Sequence, residues 1–598
     1  MDYTDKRNTM IRYMDVARAE DDQTQYLMME ENAMRYKPLP IGIDNFKQLI
    51  EQGYYYVDKK AFIKDLIDMK GAANLFTRPR RFGKTLNMSM LQYFFEDMHT
   101  VKGEPIDNRG IFDGLGIMQA GEQYLSHMGV YPVITLTLKA GKQSTFESAY
   151  RQLIRQISME FERHYYLLDT DMPDETRERY KSILGGHADR DVFKNSIQFL
   201  SKCLERYYGK KVILLIDEYD VPLENAFLCG FYDEMIDFIR ALFESALKTN
   251  SSLDFAVITG CLRISKESIF TGMNNLTVIS ILNEQYDEYF GFKDDEVRKM
   301  CDDYGRSHKF EIFKSWYDGY SFGNADVYNP WSVIQFMFDL RANENCYAKA
   351  YWANTSSNSI VRELIGLADE SVKAELELLI DGGTIEKPIH EDITYAEVYE
   401  TMDNLWNFMF FTGYFRKVSE RISENDIRYL TFRIPNREVR YIFYTKVTAW
   451  FQAKMKQRDM SRLHNAFIRK DVTVFEEELN DIMMETISSM DEDENYYHGL
   501  VAGLLTGIKG YITKSNREPG KGRCDLFVRP VSRRKEAFIV EFKVTKKLGE
   551  LEAKTDEALA QIKDRNYEKE LIDDNYSVIS RYGIAFCGKE CMVKLEEH

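Results

Sequence analysis

The chain has 598 residues, of which 44% are hydrophobic and 29% are charged, and these proportions are ordinary for a soluble globular protein of about three to five domains. No stretch approaches the roughly 20 apolar residues that a membrane-spanning helix needs, so we expect no membrane segment. The net charge of −17 argues against a general nucleic-acid coat but leaves room for a local basic groove.

The N-terminus and the cysteines indicate the compartment. Residues 1–7 lack the apolar core of a secretory signal. The eight cysteines include no C-x-x-C pair and have no zinc-site spacing. A reduced, cytoplasmic protein is the simplest interpretation.

The first 70 residues predict an extension followed by the start of a domain. Residues 1–37 are polar and rich in methionine, and Pro38–Pro40 marks a boundary. Beyond it we expect a short strand over Tyr54–Val57 and an amphipathic helix over Lys60–Met69.

Residues 75–259 contain short apolar runs of the kind found in the buried strands of a parallel sheet. Helical patterns at 145–166, 190–207 and 230–249 separate the later runs. Strands that alternate with helices predict right-handed βαβ units, and therefore an α/β domain with a parallel sheet. The runs are Leu75–Thr77, Tyr131–Leu136, Lys211–Ile216 and Leu253–Thr259.

The pattern changes after residue 285. Residues 285–390 indicate helices. A helix at Tyr399–Phe411 then precedes two strand candidates, Tyr414–Val418 and Arg428–Arg433, and this helix and hairpin resemble a small winged-helix module. Helices are expected over 437–485. The last segment predicts helices at 496–508 and 550–570 and strands at Asp525–Val528, Ala537–Val544 and Gly583–Phe586.

The first strand is followed by the end of a phosphate-binding loop, formed by Phe82, Gly83, Lys84 and Thr85. Such a loop needs backbone amides that face phosphate, a lysine, and a hydroxyl group for Mg²⁺. Lys84 would reach the β- and γ-phosphates of ATP, and Thr85 would coordinate Mg²⁺. Arg78 stands where the pattern has its first glycine, so a chance Gly-Lys-Thr is the alternative.

The strand at 211–216 ends in two carboxylates, as a Walker B strand does. Asp217 would hold Mg²⁺, and Glu218 would orient or deprotonate the attacking water. The alternative is a buried strand that reaches solvent at two acidic residues. Because the order and spacing of both motifs fit one nucleotide-binding fold, we expect ATP binding and hydrolysis.

Further residues extend this predicted ATP site. Thr259, at the end of the next strand, would sense the γ-phosphate, and Arg263 would act as an arginine sensor or finger. Arg78, Arg80 and Arg81 either add positive charge near phosphate or pair with the carboxylates at the strand ends.

A second acidic constellation lies near the C-terminus. Glu541 and Lys543 share one face of a strand because side chains alternate, and a hairpin partner would bring Asp525 beside Glu541. Two carboxylates and a lysine on one face are suited to bind Mg²⁺ and to position a water for phosphodiester cleavage. This is the layout of PD-(D/E)xK nucleases. The alternative is a solvated strand face, but a charged pair in an apolar strand needs partners.

Neighbouring residues support this second site. Glu494 opens an apolar helix and would add a third carboxylate, and Gln561 lies on a helix that would pack over the site. From Lys509 to Lys547 the chain carries twelve Lys and Arg against four acidic residues. Such a basic segment in an acidic chain predicts nucleic acid as the partner.

Together these motifs resemble bacterial AAA-ATPase-like proteins that carry a C-terminal PD-(D/E)xK nuclease domain. The match covers roughly residues 38–590. The resemblance implies that Arg in place of the first P-loop glycine is the family's own form. The matching segments are Arg78–Thr85, Leu215–Asp220, Thr259–Ile264, Ser268–Leu276, Trp316–Tyr320, Tyr328–Ser332, Trp352–Ser356, Thr412–Tyr414, Ile434–Asn436, Tyr497–Gly499, Asp525, Glu541–Lys543 and Gln561–Ile562.

The resemblance implies a P-loop ATPase core with a parallel sheet, a helical lid and a restriction-endonuclease-like α/β domain. A homo-oligomer is one possible assembly, by analogy with AAA-type rings. The expected divisions are an N-terminal extension at 1–37, an AAA-like core at 38–285, a helical lid at 286–394, a helical or winged-helix-like linker domain at 395–488 and a nuclease-like domain at 489–598.

The sequence therefore predicts an ATP-regulated, Mg²⁺-dependent nuclease that cuts nucleic acid, with DNA favoured over RNA. Asp525, Glu541 and Lys543 would carry the cleavage. The alternative is a nucleotide-switched regulator that binds nucleic acid or protein through an inactive nuclease fold. The missing P-loop glycine and the acidic net charge favour this alternative.

Overall fold

The computed structural model describes residues 36–59, 61–262, 269–270, 274–354, 366, 370–391, 397–446, 459–484, 494–515 and 525–597. The chain divides into two compact units. One comprises the residues up to 357 together with 386–442, and the other comprises 358–385 together with the residues from 443 onward. Most of the predicted N-terminal extension, up to residue 35, lies outside the described residues.

The first unit mixes helices and strands. Its α-helices are Phe46–Glu51, Ala61–Met69, Lys84–Phe95, Glu122–Leu125, Phe146–Arg163, Asp174–Leu184, Arg190–Lys194, Ser196–Tyr208, Val221–Cys229, Tyr232–Phe243, Asp294–Asp303, Phe310–Tyr317, Pro330–Ala342 and Met402–Phe411. Its strands are β1 (Ala73–Thr77), β2 (Met98–His99), β3 (Pro105–Ile106), β4 (Val133–Thr137), β5 (Val212–Asp217), β6 (Leu253–Gly260), β7 (Leu276–Ile279), β8 (Tyr320–Phe322), β9 (Ala325–Val327), β10 (Ile385–Pro388), β11 (Arg416–Ile422) and β12 (Arg428–Arg433).

A five-stranded parallel sheet with the order β4-β5-β6-β1-β7 forms the centre of the first unit. Every residue of β1 and of β5 is buried, as expected for apolar strands covered on both faces. Because all five strands run in one direction, their carboxyl ends meet at one edge of the sheet. The predicted parallel sheet is confirmed.

Two local predictions are wrong. Tyr54–Val57 forms no strand; instead the Tyr55 N–H donates to the Pro38 carbonyl, and the Tyr55 hydroxyl donates to the Asp303 carboxylate. Aromatic residues favour a strand only where another strand can pair with them. Residues 285–390 are not uniformly helical, because they include the β8–β9 hairpin and β10.

The predicted helix and hairpin after residue 395 are present. The helix Met402–Phe411 precedes the antiparallel pair of β11 and β12, and β10 completes a three-stranded sheet. A further helix follows at 437–446. The assignment of these elements to a winged-helix module stays a prediction.

The α-helices of the second unit are Glu370–Ile380, Ser461–Arg469, Val472–Met484, Glu494–Leu505, Leu551–Asp564 and Glu568–Asp573. Its strands are β13 (Tyr511–Ser515), β14 (Leu526–Pro530), β15 (Ala537–Val544), β16 (Ile579–Cys587) and β17 (Glu590–Glu597). These strands form a mixed sheet with the order β13-β14-β15-β16-β17, in which β15 and β16 pair in parallel and the other neighbours pair antiparallel.

Helices cover both faces of this second sheet. Leu526, Val528 and Phe538 belong to one apolar core with the helices Ser461–Arg469 and Val472–Met484. Those two helices were predicted within the linker domain at 395–488, which is thus divided between the two units. On the other face, Phe527, Ala537 and Ile539 pack with the helix Leu551–Asp564.

Within the described ranges, no helix is both long enough and apolar enough to traverse a lipid bilayer.

Candidate active sites

The loop Arg78–Gly83 connects β1 to the helix Lys84–Phe95 at the sheet edge where the parallel strands end. Gly83 is the N-cap residue and has a φ of +80°, a left-handed conformation that glycine adopts without steric cost. The N-terminus of a helix presents unsatisfied N–H groups and the positive end of its dipole. The loop therefore has a geometry that suits phosphate.

Three of the predicted ATP-site residues form one polar cluster. Asp217, the last residue of β5, accepts a hydrogen bond from the Thr85 hydroxyl at 2.7 Å through Oδ2 and another from the Thr259 hydroxyl through Oδ1. Because β6 lies between β1 and β5, Thr259 lies between the loop and the acidic strand. Asp217 and Thr259 are buried.

The Lys84 ammonium is bound by the loop itself. Its Nζ donates to the carbonyls of Arg78 and Pro79, each at 2.8 Å, and lies 3.7 Å from the Cys261 sulfur. The residue is only 7% exposed. A phosphate bound here would replace these carbonyls as the acceptor for Lys84.

Glu218 lies directly after Asp217 and is half-buried. Its N–H donates to Asp217 Oδ1 at 3.0 Å, and its φ of +52° turns the chain sharply at the strand end. Burial, and then the neighbouring Asp217 carboxylate, raise the pKa of Glu218 above its ordinary value. A glutamate with a raised pKa is a better proton acceptor, as a general base requires. Arg263 lies outside the described residues.

Arg78 is engaged by backbone carbonyls, and the positive charge that it was predicted to add near phosphate stays a prediction. Its guanidinium is fully buried and donates to the carbonyls of Thr77 and Ile279 at 2.9 Å and of Tyr286 at 3.3 Å. Burial lowers the pKa of Arg78 to about 9. Arg78 thus ties the end of β1 to the chain that follows β7 and contacts no carboxylate at the strand ends.

The other two arginines of the loop have local partners. Arg80 forms an ion pair with Glu224, which lies on the helix after β5 and not at the end of a strand. Arg81 is exposed, and its guanidinium lies 4.4 Å above the ring of Trp331. Positive charge near this loop is therefore largely engaged by protein groups.

Phe82 packs against the β8–β9 hairpin. Its ring centroid lies 4.9 Å from that of Tyr320 and 5.1 Å from that of Phe322. Gly413 lies so close to the loop that a Cβ added there would be 3.0 Å from Pro79 Cβ. The Phe82 side chain therefore packs against protein, which leaves its backbone for contact with a ligand.

Two buried carboxylates, Asp220 and Glu438, are absent from the predicted site residues. Asp220 accepts the N–H groups of Cys261 and Leu262 at 2.7 and 3.1 Å, and so fixes the turn after β6. Its signal in the sequence is its position three residues after Asp217. Glu438 accepts the Ser332 hydroxyl at 2.9 Å and the Trp352 N–H at 2.8 Å, and burial raises its pKa to about 7. Only the adjacent Ile434–Asn436 segment marks Glu438 in the sequence.

The second candidate site is built on the β14–β15 hairpin. Leu526 pairs with Val540, so Asp525, one residue before β14, lies beside Glu541. The Phe542 N–H donates to Asp525 Oδ2 at 2.9 Å, and the Asp525 N–H donates to Glu541 Oε2 at 3.2 Å. Both carboxylates are buried, and the backbone holds them together.

Lys543 and Gln561 complete this cluster. The Lys543 ammonium lies 3.7 Å from Glu541 Oε1, and the Gln561 amide donates to the same oxygen. Gln561 reaches Glu541 because its helix lies close to the sheet at Gly583, which pairs with Glu541. A Cβ at Gly583 would lie 2.8 Å from Leu559 Cγ on that helix.

The predicted third carboxylate is not placed by the structure. Glu494 begins the helix Glu494–Leu505, and its side chain lies outside the described part of the chain. His498 on the same helix contacts the Asp525 carbonyl at 3.0 Å through Nε2. This contact anchors the helix beside Asp525.

The oxygen donors of Asp525 and Glu541 suit Mg²⁺, which is usually bound by one or two carboxylates together with waters and substrate phosphates. Across the described residues, no group of three or more His, Cys, Asp or Glu could by itself enclose a metal ion. The donor set therefore fits an open Mg²⁺ site better than a closed structural one.

The basic segment Lys509–Lys547 is distributed over both ends of the hairpin. Arg533, Arg534 and Lys535 are exposed on the turn at the end opposite to Asp525, whereas Lys546 and Lys547 follow β15 at the site end. Arg529 is paired with Glu570 and Asp574, each at 2.6 Å. Among the described residues of this segment, the positive charge is therefore shared between the site end and the turn at the opposite end.

One protein of known sequence is similar to part of this chain. Over 335 residues the chain is 26% identical to a protein of Azotobacter chroococcum mcd 1 described as "Uncharacterized protein in vnfD 5'region". The aligned part is 56% of this chain and 57% of the relative, so the chain spans little more than half the length of that protein.

Two family models match separate parts of the chain. Residues 40–270 match the family described as "Predicted AAA-ATPase", and residues 492–596 match the PD-(D/E)XK nuclease superfamily. The first match includes β1 to β6, and the second includes Asp525, Glu541, Lys543 and Gln561. Both the resemblance and the predicted fold class are confirmed. The chain therefore carries an AAA-ATPase-like domain followed by a C-terminal domain of the PD-(D/E)XK nuclease superfamily.

Proposed function

We propose that this protein is a Mg²⁺-dependent nuclease whose cleavage of nucleic-acid phosphodiesters is regulated by ATP. The observation that carries this proposal is the cluster of Asp525, Glu541, Lys543 and Gln561 in a domain similar to PD-(D/E)XK nucleases. The Thr85–Asp217–Thr259 cluster in the other unit supports ATP as the regulating ligand.

At the nuclease site, Asp525 and Glu541 would hold Mg²⁺. The bound ion would supply Lewis acidity and lower the pKa of a water molecule. Lys543 would stabilise the negative charge that develops on the phosphate, because its ammonium lies beside the same carboxylate. Gln561 would orient Glu541 by donating to Oε1, which makes it a positioning residue.

At the ATP site, Thr85 and Asp217 would hold Mg²⁺, and Lys84 would bind the β- and γ-phosphates. Glu218 would accept a proton from the attacking water, and its raised pKa suits that task. Thr259 would report the γ-phosphate to Asp217 through their hydrogen bond. Arg263 would complete the proposed site as an arginine sensor or finger.

A second candidate function is a nucleotide-switched binding protein whose nuclease fold does not cut. The contacts of Lys84 favour this second function, because its ammonium already donates hydrogen bonds to two backbone carbonyls. A loop that must exchange these contacts on ATP binding is suited to switching between two states. In that case Lys543→Ala would keep the cellular effect of the protein, whereas Lys84→Ala would lose it.

The deciding experiment incubates the full-length protein with circular and linear DNA and with structured RNA, in Mg²⁺ or Mn²⁺, with and without ATP. Glu541→Gln is the test variant, and Glu552→Gln, an exposed glutamate on the helix Leu551–Asp564, is the matched control. We expect metal-dependent cleavage by the wild-type protein and by Glu552→Gln, and loss of this cleavage in Glu541→Gln. Absence of cleavage by a folded protein that still binds ATP would select the binding protein.

A further inference from the structure

The outer strand of the C-terminal sheet continues the surface that carries the nuclease cluster. Lys514 of β13 pairs with Phe527 of β14, and Ile512 pairs with Arg529. Residues directly opposite each other on antiparallel strands point to the same face. Since side chains alternate along β14, Lys514 and Ile512 lie on the same face of the sheet as Asp525.

This face is open at its β13 edge. The helix Leu551–Asp564 packs on β15, β16 and β17. Ile512 is 61% exposed, and Lys514 is exposed beside it. Standard strand spacings put the Lys514 Cα about 8 Å from that of Asp525. Among the described residues, no carboxylate lies within ion-pair distance of Lys514.

The open edge leads to a second group of cations. The Val531 N–H donates to the Gly510 carbonyl at 2.9 Å, which joins the β14–β15 turn to the start of β13. That turn carries the exposed residues Arg533, Arg534 and Lys535, and Val531 is also exposed. At about 3.3 Å per residue, the turn lies roughly 20 Å from Asp525.

The described acidic groups near this surface already have partners. Glu570 and Asp574 bind Arg529, and Glu536 binds Lys470 and Ser580. The exposed charge along β13 and the turn is therefore mainly positive. A lysine on an edge strand also protects against aggregation, but this role does not require an exposed isoleucine beside it or three further cations at the turn.

We propose that the β13 edge track, defined as Ile512, Lys514 and the turn Arg533–Lys535, binds the sugar-phosphate backbone of a nucleic-acid duplex that extends from the cleavage site. The inference rests on the proposed nuclease function. Lys514 contacts a phosphate next to the scissile position, and Ile512 packs against the sugar edge. The turn contacts phosphates about six base pairs further along, since base pairs rise about 3.4 Å each.

Binding is tested with full-length protein in EDTA, on a labelled duplex of about 24 base pairs over a range of salt concentrations. Lys514→Ala is expected to weaken binding about three- to tenfold and to reduce the slope of log Kd against log salt by about one. The control Lys202→Ala removes an exposed lysine of the first unit and leaves both values unchanged.

The turn is tested by duplex length with the triple variant Arg533→Ala, Arg534→Ala, Lys535→Ala. Its kcat/KM for cleavage is expected to fall about tenfold on the long duplex. It is expected to stay unchanged on a hairpin with a stem of about four base pairs, which spans only about 14 Å and cannot reach both places. The charge-matched control changes Lys202, Arg206 and Lys210 to Ala. Thermal melts check that each variant is folded.

The outcomes separate the two proposals. If the wild-type protein binds and cuts duplexes but the variants match it, or the controls lose as much, the β13 edge track is overturned and the nuclease stands. If the wild-type protein binds and cuts single strands but no duplex, the track is overturned and the nuclease stands. If it cuts no DNA or RNA in any form, the nuclease proposal fails, and the track fails with it.

Discussion

Each candidate site combines a lysine with a pair of carboxylates, but the surroundings of the lysine differ. Lys84 is 7% exposed, and two backbone carbonyls accept hydrogen bonds from its ammonium. The Lys543 side chain is 17% exposed, and its ammonium lies near a carboxylate that belongs to the proposed metal site. Lys84 is thus held by backbone carbonyls of its loop, whereas Lys543 is held by a carboxylate of its own site.

Because of this difference, a ligand would have to rearrange the protein at one site but not at the other. In the proposed function, ATP would replace the carbonyls that hold Lys84, so part of its binding free energy would go into rearranging the loop. A nucleic-acid substrate would meet a cluster whose carboxylates are already positioned by backbone N–H groups. The loop at Lys84 is therefore the element suited to switching, and the cluster at Glu541 is suited to preorganised chemistry.

The largest expected effect is at the preorganised site. Glu541→Gln removes one of two proposed metal ligands and should lower metal-dependent cleavage at least a hundredfold, because even indirect partners of a metal typically contribute about 10- to 100-fold. Initial rates on linear DNA measure this loss. ATP affinity should stay unchanged. Retained cleavage in the presence of a normal thermal melt would contradict the proposed role of Glu541.

Lys84→Ala tests the other half of the comparison. Loss of a charge-assisted contact to phosphate costs about 1.5–3 kcal/mol, so ATP affinity should fall roughly 10- to 100-fold. Isothermal titration measures this change, and Lys102→Ala, an exposed lysine, is the control. Cleavage without ATP should remain. Unchanged ATP affinity would show that the carbonyls of Arg78 and Pro79 are the permanent partners of Lys84.

Gln561→Ala should have a smaller effect at the nuclease site. Gln561 acts through Glu541, so cleavage should fall about tenfold, and the Mg²⁺ concentration for half-maximal rate should rise. A role in helix packing alone would leave the Mg²⁺ dependence unchanged. The metal titration therefore distinguishes the two roles, and Gln561→Glu is expected not to restore the wild-type Mg²⁺ dependence.

Much of both sites was predictable from local patterns. Strand alternation puts Glu541 and Lys543 on one face, and parallel strands put Asp217 and Thr259 at one edge. The strands β7, β13 and β17 were not predicted, because their sequences include exposed or charged residues and lack a continuous apolar run. Such strands are defined by their pairing partners.

The position of Arg78 could not be predicted from the sequence. Its acceptors, the carbonyls of Ile279 and Tyr286, lie about two hundred residues further along the chain and come close only when β7 pairs with β1. The local sequence pattern predicted phosphate or a carboxylate as the partner of Arg78, whereas in the folded protein its partners are backbone carbonyl oxygens. Glu438 was also not predicted, because its partners Ser332 and Trp352 are 106 and 86 residues away in the chain.

Glu438 provides a contrast to both candidate sites, because it is a buried carboxyl that belongs to neither. Burial raises its pKa from 4.5 to about 7, so the folded protein binds a proton that the unfolded chain releases above pH 4.5. Stability should therefore fall as the pH rises from 4.5 to 7, and the full cost, at most about 3 kcal/mol, should be present above pH 7.

Glu438→Gln removes this cost and keeps an acceptor for the Trp352 N–H. Its melting temperature should exceed that of the wild-type protein by a few degrees near pH 8, and the difference should vanish near pH 4.5. Melts of both proteins across this range measure the effect. An offset that does not change with pH would mean that Glu438 is ionised in the folded protein throughout, so that its contacts to Ser332 and Trp352 compensate for its burial.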